Sequence, residues 1–170
     1  MKNESKKGGK LQVTTPSDRE IAMTRVFDAP SDMVFDAWTK PELLTRWLGV
    51  RGGWTFAVCK VDLRVGGSYR FVWRGPDGTE MGMGGVYREV ARPGRLVATE
   101  KFDQAWYEGE ALDTTTFVEQ DGKTTATTTV RYASREVRDG VLKGPMERGV
   151  AESYDKLDEV LASTPARSGR

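Results

Sequence analysis

The sequence predicts an α+β domain in which a curved antiparallel sheet of about seven strands wraps around one long C-terminal helix. Three observations carry that expectation. From Trp54 to Tyr132, apolar residues recur with a period of two between Gly, Pro and Asp turn signals. Met146, Val150, Tyr154, Leu157 and Leu161 then form one apolar stripe at helical spacing. Short helical patterns stand between the first strand and the meander. A helix with a single apolar stripe has to bury it, and the concave face of the sheet is the large surface left to receive it.

Taken in order, Arg19 to Phe27 reads as a strand, stopped by Ala29-Pro30-Ser31. Val34, Phe35 and Trp38 at three- and four-residue spacing predict a first short helix. Thr39-Lys40-Pro41-Glu42 has the form of a capping box opening a second, whose face is Leu43, Leu44, Trp47 and Leu48 and whose stop is Gly49. The meander begins with Trp54–Leu63, turns at Gly66-Gly67, and continues with Tyr69, Phe71 and Trp73 on one face. Gly75-Pro76-Asp77-Gly78 turns the chain again. Met81–Val90, Leu96–Phe102, Ala111–Glu119 and Thr124–Tyr132 complete the series, and the Thr124–Thr129 run reads as an outer strand facing water. Gly144-Pro145 opens the last helix with Pro at its first position. The domain is expected over residues 17–162, with disordered polar tails at 1–16 and 163–170.

A chain of 170 residues suits one domain that buries roughly two-thirds of its unfolded surface. Its 26 Lys+Arg balance 25 Asp+Glu, so the net charge of +1 offers no broad field for nucleic acid or anionic lipid, and neither is an expected partner. No stretch approaches the about 20 apolar residues of a membrane span, and the first ten residues lack the apolar run of a secretion signal. The single cysteine cannot form an internal disulfide, which fits a reducing, cytoplasmic setting. The absence of histidine excludes a Ser-His-Asp or Cys-His nucleophile, an HExxH zinc site and a His-ligated haem. No metal or cofactor is expected, and any catalysis would fall to carboxylates, Lys, Tyr or Arg.

Four stretches also carry a family likeness. Arg25-Val-Phe-Asp-Ala-Pro-Ser-Asp-Met-Val-Phe-Asp-Ala-Trp-Thr-Lys-Pro-Glu-Leu-Leu-Thr-Arg-Trp47 resembles the opening signature of the Activator of Hsp90 ATPase homologue 1-like group, within the START/Bet v 1-like superfamily. Val61-Asp-Leu-Arg-Val-Gly-Gly-Ser-Tyr69 resembles its second signature, Gly85-Val-Tyr-Arg-Glu-Val90 its third, and Met146 to Leu157 its closing helix. The likeness runs in order from about Arg19 to Ala162. It implies the helix-grip fold with a hydrophobic cavity, and it admits a chaperone as partner.

The expected site lies between the C-terminal helix and the sheet. Trp47, Trp73 and Trp106 supply surplus aromatic surface that either stacks a flat ligand or simply fills the core. Met83, within Met81-Gly82-Met83-Gly84-Gly85, offers an adaptable thioether wall, while the glycines equally suit a bend in the sheet. Met146, Val150 and Tyr154 face the sheet from the helix. Glu100 shares strand parity with Leu96, Ala98 and Phe102; inward, it is a carboxyl in apolar surroundings with a raised pKa. A slip at a bulge would instead pair it with Arg70 or Arg88. Cys59 reads as a buried small hydrophobe, and Glu108/Glu110 imitate a catalytic dyad without a defined separation. The leading expectation is a non-enzymatic, stress-related binder of a small hydrophobic molecule, monomeric or homodimeric. The alternatives are a chaperone-activator or other protein-interaction module, and a cavity enzyme resting on Glu100, Tyr107 or Tyr154.

Overall fold

A computed structural model describes residues 9–104 and 106–165. The chain order is β1 (Gln12–Thr14), β2 (Glu20–Phe27), α1 (Ser31–Thr39), α2 (Pro41–Leu44), β3 (Thr55–Val61), β4 (Ser68–Arg74), β5 (Glu80–Ala91), β6 (Arg95–Phe102), β7 (Ala111–Gln120), β8 (Lys123–Arg131), α3 (Arg135–Lys143) and α4 (Met146–Ser163). The strands form one eight-stranded antiparallel sheet in the order β1-β2-β8-β7-β6-β5-β4-β3. This is the α+β helix-grip arrangement, a curved sheet holding a C-terminal helix.

The structure departs from the sequence reading in five places. An edge strand, β1, pairs Gln12–Thr14 with Thr24–Ala22 inside the segment expected to be a disordered tail, so the sheet has eight strands rather than about seven. Residues 1–8 and 166–170 of the two expected tails lie outside the described residues. The capping box does not form. Thr39 ends α1 and its hydroxyl donates back to the Phe35 carbonyl at 2.9 Å, so α2 starts without a side-chain cap and lasts one turn. Pro145 occupies the N-cap rather than the first position of α4.

The Thr-rich strand is central, not outer: β8 lies between β2 and β7. Thr124 and Thr128 are buried, with Thr124 donating to the Ala29 carbonyl at 2.7 Å and Thr128 sharing a 2.9 Å hydrogen bond with Thr115. Finally, α3 was not anticipated. Ser134 caps it by accepting from the Val137 N–H at 3.2 Å, and buried Arg138 donates to the carbonyls of Ser17 (2.7 Å) and Glu20 (3.2 Å) at the start of β2.

Apolar residues collect into two clusters. The larger joins α1, α2 and the C-terminal half of α4 to β3–β5, with Trp38 in ring contact with Phe27, Trp47, Phe117 and Tyr154 at 4.9–6.2 Å. The smaller joins β2, β8 and α3, with Ile21, Val130, Tyr132 and Val141 at its centre, and Met146 and Val150 of α4 packed against it. Along α4, Leu157, Val160 and Leu161 are buried, whereas Met146 and Val150 are only half-buried. The helix is thus sealed at one end of the sheet and looser at the other.

Candidate functional site

Strand parity builds the site. In β6, Leu96, Ala98 and Glu100 point to one face; in β7, Ala111, Asp113, Thr115 and Phe117 do the same. The register sets Ala98 opposite Asp113 and Glu100 opposite Ala111, which makes Glu100 and Asp113 diagonal neighbours on the concave face. Their carboxyl groups are hydrogen-bonded to each other. Burial, then the Glu100 charge beside it, pushes the Asp113 carboxyl well above the ordinary carboxylate range. A proton therefore stays with the pair at pH values where a free carboxyl would have lost it. Asp113 Oδ1 is enclosed and has no hydrogen-bond partner.

Tyrosines surround this pair. Tyr107 donates its hydroxyl to Glu100 Oε2 at 2.6 Å, and its ring stands edge-on to Tyr132 at 5.3 Å. Burial is the main cause that raises the pKa of all five tyrosines of the chain; the negative charge of Asp113 adds to it for Tyr69, Tyr107, Tyr132 and Tyr154. Tyr154, pushed up to about 12, belongs with Tyr69 to the larger cluster, while Tyr107 and Tyr132 belong to the smaller. The carboxyl pair consequently occupies the seam between the two cores.

The backbone at the seam is fixed from β4. Tyr69 reaches past β5 to donate to the Thr99 carbonyl of β6 at 2.6 Å, immediately before Glu100. Only a glycine permits this approach: a Cβ on Gly85 would stand 1.9 Å from that same carbonyl oxygen. The glycines after Met81 thus serve close strand approach and curvature.

The residues proposed from sequence divide into two sets. Trp47, Trp73 and Tyr154 are core. Trp47 is 1% exposed and donates its indole N–H to the Ala37 carbonyl at 2.9 Å, and Trp73 donates to the Leu48 carbonyl at 2.9 Å. Met83 packs against the larger cluster, Met146 against the smaller and Val150 against both, while Glu100 meets Tyr107 and Trp106 stands at the surface beside Phe102. Met83 pairs with Phe102 in the β5–β6 register, and Phe102 meets Trp106 at 5.5 Å and Tyr107 at 5.9 Å. Trp106 is 49% exposed, while Met83, Phe102, Tyr107, Met146 and Val150 are half-buried. Glu100 does not pair with either arginine named for it: Arg70 is bound to Asp103, and Tyr107 takes the Glu100 oxygen instead. Glu108 and Glu110 are exposed, and the carboxyl pair that does form is Glu100/Asp113. Asp113, Tyr69 and Tyr132 were not singled out, although Asp113 stands on the apolar parity of its strand, a readable signal.

Chemically, the pair holds a movable proton beside a tyrosine hydroxyl and can accept hydrogen bonds from a guest. Among the described residues no cluster of His, Cys, Asp and Glu is arranged to hold a metal ion, and no helix is long and apolar enough to cross a membrane. A pocket of about 190 Å³ lies away from this pair, between α1, α2 and the end of α4, lined by Met33, Ala37, Leu43, Val160 and Leu161. Buried Asp36 at its edge is bridged by Arg92 at 2.7 Å.

Comparison with known proteins gives the ancestry. A protein from Rhodobacter sphaeroides is 33% identical, with a TM-score of 0.87 over 92% of this chain and 100% of its own. Protein Ms6760 from Mycobacterium smegmatis is 23% identical, with a TM-score of 0.77 over 94% of this chain and 99% of its own. An HSP90 activator from Plasmodium falciparum, 19% identical, shares the fold at a TM-score of 0.61 over 85% of this chain and 96% of its own. The search of curated proteins finds no match. Residues 28–162 match the family model described as Activator of Hsp90 ATPase homolog 1-like protein, and the chain belongs to that family.

Proposed function

We propose that this protein is a non-enzymatic, cytoplasmic binder of a small, mainly apolar molecule, taken up between the N-terminal half of α4 and the sheet. The molecule's polar group meets Glu100 and Asp113. The observation that carries this reading is Asp113 Oδ1, enclosed and unpartnered at the seam of two apolar clusters. An unmatched buried acceptor costs about 1–3 kcal/mol, which a guest donor recovers. The half-buried Met83, Phe102, Tyr107, Met146 and Val150, with exposed Trp106 beside them, supply the apolar lining such sites use. A stress-related role and a chaperone partner have family membership alone behind them, and the likeness to the Plasmodium protein concerns the fold.

The test is a thermal-shift and tryptophan-emission screen of planar apolar compounds, each with neutral, cationic and anionic variants. A guest at 100 times its dissociation constant stabilises by about 2.7 kcal/mol. At about 2–4 °C per kcal/mol for a chain of this size, melting rises by about 5–11 °C. Tyr107→Ala should remove the shift. A flat response across the panel, with unchanged Trp106 emission, rejects the reading.

A further inference from the structure

The other side of the sheet carries a surface of its own. The buried parity of β2 (Ile21, Met23, Phe27) and of β8 (Ala126, Thr128, Val130) faces the helices, so the alternate residues of β1, β2, β8 and β7 form an outer face. The register sorts that face into rows. The first row is Glu20, Arg131 and Leu112, and the last is Val26, Thr125 and Val118, the valine 61% exposed. Between them lie two rows built mainly of threonine, centred on Thr24 and Thr127, whose hydroxyls share a 3.1 Å hydrogen bond. The chain is 30% charged, yet the eleven outward positions beyond the first row carry no charge. A surface that is about 25–35% charged would place about three charges there.

We propose that two copies of this chain pair through this outer face, with the two-fold axis lying along the strands between β2 and β8. Rotation about such an axis sets β2 of one copy over β8 of the other and keeps every residue in its row. Glu20 and Arg131 are opposite each other in the β2–β8 register, so Glu20 then stands over Arg131 of the partner subunit, twice by symmetry. Among the described residues, neither side chain forms an ion pair within its own chain. In the middle, Thr24 meets Thr127 of the partner subunit. A hydroxyl both donates and accepts, so threonine rows complement their own copies.

The dimensions set the strength. β2 and β8 pair over eight residues, about 27 Å at about 3.4 Å per residue, and four strands span about 19 Å at about 4.8 Å each. That footprint is about 500 Å² per copy and about 1,000 Å² in all, the lower bound of a specific interface. Association is therefore weak and concentration-dependent, held in register by two symmetry-related charge pairs rather than by an apolar centre. Sheets that pack face to face keep their strand directions within about 30°, which an axis along the strands provides. The two concave faces then look away from each other, and pairing leaves α4 of each copy uncovered.

Sedimentation velocity of the intact protein from about 5 to about 500 µM tests this. The expected result is a shift from the mass of one chain toward twice that mass, with association weakened several-fold between about 0.02 and about 0.5 M salt. Thr127→Lys puts an ammonium in the middle of the face and should abolish the dimer while the circular dichroism of the chain stays that of wild type. Glu20→Arg and Arg131→Glu should each weaken association about tenfold or more. An equimolar mixture of those two variants should recover it, because every charge then faces its opposite across the axis. If either charge variant fails to fold, Thr127→Lys and the salt series decide. A wild-type protein that stays a single chain throughout, a dimer indifferent to Thr127→Lys, or a mixture of folded charge variants that does not recover association overturns the proposal.

Discussion

Replacing Asp113 with Asn tests the proton-holding pair without any ligand. Asn has nearly the same volume, and its NH2 donates to Glu100 where the acid proton did. Asp113 is enclosed, faces a second carboxyl and has no cation beside it, so its native pKa lies well above the unfolded value of about 3.9. Below about pH 4 both states hold the proton and the group has no pH-dependent effect. Above that, the unfolded chain releases a proton that the native pair retains, and stability falls by about 1.4 kcal/mol per pH unit until the native pair titrates. From pH 4 upward the wild type therefore loses stability through this group until the native pair titrates, and the Asn variant loses none of it. The variant should melt close to wild type at pH 4 and progressively higher relative to it as the pH rises toward 6. Urea unfolding across that range, with the m-value checked for constancy, gives the same difference as free energy. Parallel wild-type and variant profiles would refute the pair as a proton-holding unit.

Three further outcomes are expected. Trp47→Ala, at a side chain 1% exposed and in ring contact with Trp38 and Tyr154, should cost about 3–5 kcal/mol in urea unfolding; a loss below about 1 kcal/mol would contradict the closed aromatic core. Gly85→Ala puts a methyl 1.9 Å from the Thr99 carbonyl, a backbone atom that cannot rotate away, so melting should drop by several degrees with early hydrogen exchange in β5 and β6. A wild-type melting temperature would sink that account. Cys59, its thiol pushed up to about 11 by burial, should react with a disulfide reagent at pH 8 about two orders of magnitude more slowly than a free thiol; a rate matching free cysteine would exclude the burial effect.

Most of the architecture was legible because alternation and helical spacing are local properties of the chain. The parity of Leu96, Ala98 and Glu100 left two placements open, an inward carboxyl or a slip at a bulge toward an arginine, and Glu100 accepts from the Tyr107 hydroxyl at 2.6 Å instead of pairing with Arg70. Its partner was not legible, since the meeting of Glu100 with Asp113 depends on the β6–β7 register, which no single strand encodes. The Thr-rich β8 misled for a related reason. β-Branched polar residues suit a wet edge by propensity, but here Thr124 and Thr128 satisfy their hydroxyls internally in a central strand. The short edge strand β1 and the largely charged α3 carry too little apolar pattern to be found alone. β1 exists through its ladder with β2, and α3 through Arg138 and the burial of Val141. Trp47 and Trp73 show the limit of composition: surplus tryptophan signalled a pocket, yet both indoles spend their N–H groups on backbone carbonyls inside the core.

The seam is a costly way to join two apolar clusters. A leucine at Asp113 would bury without desolvating a carboxyl and would leave no orphan oxygen, and apolar replacements of buried polar groups are often neutral or stabilising. The fold nevertheless spends further features on holding the pair still. Gly85 gives up a side chain so that Tyr69 can pin the Thr99 carbonyl, and Tyr107 stands edge-on to Tyr132 with its hydroxyl on Glu100. Those devices fix the carboxyl oxygens in place while leaving one without a donor, the arrangement of a preorganised binding group rather than of a core optimised for stability. Trp47, Trp38 and Tyr154 meanwhile pack ring against ring in the larger cluster, so the stability surrendered at the carboxyl pair is recovered in close aromatic packing.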